Sequence, residues 1–144
     1  MIIRKINKND INSLAELYKE FWGEKSNIKK MIDKYDEIKN NGKYIILCAV
    51  HDKKVVGTVM GIICDELYGE CNPFMIIEDL VVHSKYRRIG IGEKLMNTMY
   101  KYAKRVRCSQ ILFITEKDRR ETIKFYESLG YNAKTHVGFK MKVK

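Results

Sequence analysis

The residues with the clearest chemical meaning are Arg87, Arg88, Ile89, Gly90, Ile91 and Gly92, which stand between a strand-like run, Phe74 to Val82, and a helix-like run, Glu93 to Val106. Glycines at a strand-to-helix turn let backbone N–H groups come close to a ligand. The free N–H groups that open a helix, at the positive end of its dipole, make a seat for phosphate. Two arginines at the entrance add charge-assisted donors. The stretch therefore predicts a diphosphate-binding turn. No comparable signal points to a metal: Cys48, Cys64, Cys71 and Cys108 form no Cys-x-x-Cys pair, and His51, His83 and His136 are scattered singly. No metal cofactor is expected.

The elements that must hold this turn follow from hydrophobic period. Arg4 to Ile6 predicts a short first strand, and Asn9 or Asp10 caps a helix whose apolar stripe is Ile11, Leu14, Leu17, Tyr18 and Phe21. A second helix is expected from Ser26, with Ile28, Met31, Ile32, Tyr35 and Ile38 on one face and Asn41-Gly42 as its stop. Lys43 to Val50 and Val55 to Ile63 read as two strands joined by a hairpin-length connection, and Leu67 to Pro73 as a loop before the strand Phe74 to Val82. Beyond the glycine turn, Ile91, Leu95, Met99, Tyr102, Ala103 and Val106 recur at helical spacing. Ile111 to Thr115 predicts a strand buried on both faces, Glu121 to Leu129 a helix stopped by Gly130, and Val137 to Val143 a terminal strand. The order β-α-α-β-β-β-α-β-α-β implies one mixed α/β domain over residues 1–144.

That order decides against two common phosphate-binding folds. A P-loop needs Gly-Lys-Ser/Thr where this chain has Gly92-Glu93-Lys94, and a Rossmann turn normally follows the first strand of a repeated βαβ pattern. Here the turn comes late, after an antiparallel meander.

Composition bounds the remainder. The 144 residues suffice to bury a core without disulfides, 45% hydrophobic and 32% charged content is that of a globular protein, and no apolar run approaches the length of a membrane span. The first residues are too short for a signal-peptide core, so a cytoplasmic protein with reduced cysteines is expected, Cys48 and Cys64 being small core residues. The net charge of +10 raises a nucleic-acid or membrane reading, with Lys101, Lys104, Arg105 and Arg107 as the candidates. The basic residues are spread along the chain rather than gathered, so neither partner is expected, and an anionic cofactor would profit from the same charge.

With these residues in view, the sequence resembles the GNAT superfamily of N-acetyltransferases. Its acetyl-CoA loop has the pattern Gln/Arg-x-x-Gly-x-Gly/Ala after the fourth strand, and Arg87 to Gly92 matches every fixed position. A second family element, Phe-Tyr-x-x-x-Gly-Phe/Tyr on a helix, is matched by Phe125-Tyr126-Glu127-Ser128-Leu129-Gly130-Tyr131. The resemblance implies acetyl-CoA as co-substrate. It places cofactor contacts at the strand segment Leu80, Val81 and Val82, at Arg87, Arg88, Ile89, Gly90, Ile91, Gly92 and Glu93, and at Arg119. Many members carry glycine at position 88 and asparagine at position 119, so Arg119 is expected to approach a CoA phosphate instead. The segments around Ile77 to Leu80 and Tyr86-Arg87 look most like polyamine acetyltransferases, whereas Thr135 to Lys140 resembles aminoalkylphosphonate acetyltransferases.

Acyl transfer to an amine sets its own requirements. An alkyl amine with a pKa near 10.4 is only about one part in a few thousand neutral at pH 7, a penalty of about 4 to 5 kcal/mol. A base must take that proton. Glu78 and Asp79 precede Leu80, and strand alternation puts them on opposite faces. Resemblance to the polyamine enzymes favours Glu78 as base; resemblance to the aminoalkylphosphonate enzymes favours Asp79. Tyr126 matches the family's usual donor to the leaving thiolate, and a backbone N–H near Leu80 or Val82 is the expected oxyanion donor. No cysteine lies in either family element, so direct attack in a ternary complex is expected rather than an acyl-enzyme. The expected partner is a small-molecule amine, of polyamine or aminoalkyl type. An aminoglycoside or protein amine, a non-catalytic CoA-binding module and a homodimer remain open.

Overall fold

The computed structural model describes residues 1–144. After strand β1, Ile2–Lys5, Asp10 stands at the N-cap of the first helix, one of the two positions expected, but its side chain makes no cap bond there and the side-chain cap lies earlier, at Asn7. The side chain of Asn7 accepts the Asn9 N–H at 2.9 Å, and the Asp10 carboxylate accepts the Asn7 N–H at 2.8 Å. This reciprocal box opens a 3₁₀ turn, Lys8–Asp10, that runs into α1, Ile11–Trp22. Asp10 also holds Arg4 through bonds of 2.6 and 2.9 Å. Helix α2, Ile28–Ile38, starts two residues beyond Ser26 because Asn27 supplies the cap, accepting the Lys30 N–H at 3.0 Å.

Strands β2, Tyr44–His51, β3, Lys54–Cys64, and β4, Phe74–Val82, form the antiparallel meander. Helix α3, Ile91–Arg105, then crosses to β5, Ile111–Leu112, which pairs with β4 in parallel. The sheet has five strands in the order β1-β2-β3-β4-β5. It is mixed and largely antiparallel, and the α/β class agrees with the sequence reading.

One face of the sheet buries the α1 stripe, with Ile11, Leu14 and Leu17 against Cys48, Val55 and Val81. The other face receives α3. A Cβ added at Gly57 would lie 3.0 Å from Ile91, and one at Gly61 would lie 2.6 Å from the Met99 sulfur. These two glycines let α3 approach the strands closely enough to bury Leu95, Met96 and Met99 almost completely.

The chain divides into two units, Met1–Leu112 and Phe113–Lys144. The second carries α4, Arg120–Ser128, and a ring cluster in which Tyr126 lies 4.5 Å from Phe113 and 5.2 Å from Phe125 between centroids.

Two expected strands differ from the sequence reading. The run Ile111 to Thr115 shortens to two residues, and Leu112 and Ile114 are 45% and 56% exposed rather than buried on both faces. The terminal strand Val137 to Val143 does not form. Its residues alternate as a strand's would, yet Val137, Phe139, Met141 and Val143 are 80–94% exposed. Alternation prescribes faces but supplies no partner, and without a neighbouring ladder the extended backbone has no strand to bond.

Candidate active site

The site begins where β4 stops being regular. Thr58 pairs with Val81 and Met60 with Glu78, so Asp79 and Leu80 together oppose Val59 and form a bulge. Asp79 takes a left-handed φ of 54°, a conformation that aspartate tolerates better than most residues. The bulge changes the phase of the strand. Ile77 pairs with Gly61 on the α3 face, whereas Val81, four residues on, packs in the α1 cluster.

The simple alternation expected to separate Glu78 from Asp79 is broken at this point. Glu78 pairs with Met60 and is exposed on the α1 side of β4. Asp79 is half-buried beside Tyr18 of α1. Burial, and then the neighbouring charge of Glu78, pushes its carboxyl above the usual range. Burial and the Asp79 charge in turn raise the Tyr18 phenol, with Thr58 acting the other way.

Along the opposite edge, β5 pairs only with Met75 and Ile76. From Ile77 to Val82 that edge of β4 has no neighbouring strand. Leu80, Val81 and Val82 lie on it, so an extended amide-bearing chain could continue the sheet there.

Past β4 a 3₁₀ turn, Ser84–Tyr86, leads into the glycine turn. Arg88 and Gly90 both take left-handed φ values, 65° and 84°. That conformation explains why glycine suits position 88 as well as position 90. Gly90 is the N-cap of α3 and offers no side chain to satisfy the helix's first N–H groups. A Cβ at Gly90 would meet nothing within 4 Å. The turn is thus an open, uncapped helix start in which Ile91, Gly92 and Glu93 present the first backbone donors, as the chemistry of a diphosphate requires. Arg87 adds a guanidinium whose Nε donates to the Val82 carbonyl at 2.9 Å. The residues present fit CoA's diphosphate.

Arg119 and Tyr126 lie in the second unit. Arg119 is the N-cap of α4 and its Nε donates to the Glu116 carboxylate at 3.3 Å. Burial, then Tyr131, pushes the Tyr126 phenol up to about 12, with Arg119 acting the other way.

Sequence reasoning missed the bulge, whose only local sign is an aspartate able to hold a positive φ. It also missed the bond between Glu20 and Ser84, partners 64 positions apart that no periodicity links.

Residues 11–131 match the acetyltransferase (GNAT) family. The chain belongs to that family, and it is an acetyl-CoA-dependent acyltransferase. Among curated proteins it is 22% identical to a glucosamine 6-phosphate N-acetyltransferase of Arabidopsis thaliana, over 91% of each chain. The crystal structure of glucosamine-6-phosphate N-acetyltransferase from that plant superposes with a TM-score of 0.89 at 22% identity, covering 99% of this chain and 98% of the other. An aminoglycoside acetyltransferase from an uncultured soil metagenomic sample, in complex with trehalose, gives a TM-score of 0.81 at 20% identity, covering 99% and 96%. At these identities the two structures speak to fold. No helix is long and apolar enough to cross a membrane.

Proposed function

We propose that this chain, as one domain over residues 1–144, moves the acetyl group of acetyl-CoA to the primary amine of a small molecule by direct attack in a ternary complex. The observation that carries the reading is the uncapped start of α3 behind left-handed Arg88 and Gly90, next to a β4 edge without a strand partner. In this reading the donors of residues 87–93 and Arg119 hold the phosphates. The edge at Leu80, Val81 and Val82 holds the amide-bearing arm. Acetyl-CoA supplies an activated thioester.

Glu78 is the base, because it is exposed on the α1 side of β4 and so within reach of an incoming amine. It takes the ammonium proton, directly or through water, and the neutral amine attacks the thioester carbonyl. A backbone N–H of the bulge at Leu80, or that of Val82, steadies the oxyanion. The attacking nitrogen loses its second proton to solvent as the C–S bond breaks, and CoA leaves as a thiolate to which Tyr126 donates a hydrogen bond. Its role stops there: with its phenol near 12 and a thiol near 8.5, full proton transfer is uphill by about 5 kcal/mol.

One observation favours a second assignment of the base. The raised carboxyl pKa of Asp79 moves it toward the working pH of a general base. Separate pH–rate profiles of Glu78→Gln and Asp79→Asn decide between them: the true base is the residue whose loss removes the acidic limb.

For the acceptor, polyamine or aminoalkyl compounds are one arm and an amino sugar with an anionic group is the other. The net charge of +10 opposes a polycation, and the relative named for glucosamine 6-phosphate matches over 91% of each chain, so the second arm takes precedence. Thiol release from acetyl-CoA measured across glucosamine 6-phosphate, spermidine, an aminoalkylphosphonate, an aminoglycoside and a lysine peptide tests the assignment. A highest kcat/KM for the peptide would refute it.

A further inference from the structure

The last turn of α1 touches the diphosphate turn at two points, although it belongs to the other end of the sequence. Glu20 Oε1 accepts the Ser84 N–H at 3.3 Å. A side-chain bond from Ser84, with the charges of His83 and Arg87 nearby, holds the Glu20 carboxyl below its usual range. One residue on, the Phe21 ring lies 5.9 Å from the Arg87 guanidinium carbon. Arg87 Nε is meanwhile bonded to the Val82 carbonyl. This guanidinium is therefore met from two sides, by the end of β4 and by the end of α1.

Nothing in the packing of α1 asks for a carboxylate here. Glu20 is exposed, and the helix is already anchored by Leu14 and Leu17 and stopped by Gly23, whose N–H donates to the Lys19 carbonyl. What Glu20 does is satisfy the amide of Ser84, the residue that opens the 3₁₀ turn leading to Arg87.

We infer that Glu20 is a positioning residue for the diphosphate turn: it clamps Ser84 to the end of α1 so that Arg87, lying against Phe21, is set before the donor arrives. The inference rests on the proposed function and deepens it. A preset guanidinium loses less freedom when it meets phosphate, so the clamp acts on donor affinity rather than on the chemical step.

The test uses the full chain and two donors. Acetyl-CoA carries the diphosphate and acetyl-pantetheine lacks it. Calorimetric titration with CoA should show Glu20→Ala raising Kd by about twofold to twelvefold, the scale of ordering one rotamer-rich side chain on binding. Glu20→Gln should fall between, since it keeps an acceptor and loses the charge. Glu16→Ala, an exposed position one turn earlier on the same helix, should match wild type. At saturating acetyl-CoA the kcat of Glu20→Ala should stay within about twofold, and its kcat/KM for acetyl-pantetheine should be unchanged. Unaltered CoA affinity in Glu20→Ala overturns the clamp, as does an equal loss with both donors. Wild-type protein that binds no CoA overturns the proposed function itself, which distinguishes the two failures.

Discussion

Replacing Gly90 by alanine separates the cost of backbone strain from the cost to the ligand. Gly90 has a φ of 84°, and a Cβ built there meets nothing within 4 Å. The substitution therefore creates no clash inside the protein, and its cost to folding is the left-handed penalty of an L residue, about 1 to 2 kcal/mol. For a chain of this length that lowers Tm by roughly 3 to 6 °C, leaving the protein folded at 25 °C. The new methyl nonetheless stands at the open start of α3, where the diphosphate is proposed to meet the first N–H groups. Losing one hydrogen bond to a charged phosphate oxygen costs about 1.5 to 3 kcal/mol, so the Kd of CoA should rise about 10-fold to 150-fold. Gly69→Ala is the matched control: its φ is 59° and its Cβ position is equally open, but it lies in the loop between β3 and β4. Scanning fluorimetry should give the two variants similar Tm losses, and calorimetry should show CoA binding impaired only in Gly90→Ala. A CoA affinity within about threefold of wild type in Gly90→Ala, or an equal loss in Gly69→Ala, would refute the placement of the diphosphate.

Three further outcomes are expected. Glu78→Gln should lower kcat by about 10² to 10⁴ while leaving CoA affinity intact, with Asp79→Asn milder; the reverse ranking in initial-rate assays would move the base to Asp79. Tyr126→Phe should lower kcat by about tenfold, the loss of one hydrogen bond to a charged group, without changing the shape of the pH profile. The folded phenol sits near 12, above the ordinary value, so it keeps its proton through pH 10; an alkaline limb below pH 10 that disappears in Tyr126→Phe would contradict this. Asp10→Asn should destabilise by about 1 to 2 kcal/mol at pH 7 in urea titrations. The folded Asp10 carboxyl is depressed, first by its bond to Arg4, so its contribution is present above the unfolded pKa of about 3.9 and is lost as pH falls through the lower folded value. The gap between wild type and variant should close in acid, and a gap that persists there would show that charge is not its cause.

Much of this molecule can be read from its residues in order, and two of the misses share one cause. Arg87 to Gly92 sits at a strand-to-helix turn as expected, because glycine spacing and the change from a two-residue to a helical period are local signals. The stripe Ile11, Leu14 and Leu17 is buried for the same reason. Those two misses depend on partners distant in the chain. The bulge at Asp79 is set by the register against Val59, and it overrides the alternation assumed for Glu78 and Asp79. The side-chain cap at Asn7 is a local exception, made because the Asp10 carboxylate, at the N-cap of α1, bonds back to Asn7 and Arg4. Val137 to Val143 shows the converse: a strict alternation, locally persuasive, stays irregular and exposed. The clamp from Glu20 to Ser84 had no local signature at all.

The most direct measurement is thiol release from acetyl-CoA in the presence of one small primary amine at a time, with glucosamine 6-phosphate and spermidine first, followed by the mass of the amine. Release should depend on both substrates, with a kcat/KM highest for a small amine and a product heavier by one acetyl group on nitrogen. Tight CoA binding with no acetylated product from any amine in the panel would contradict it and leave a CoA-binding module.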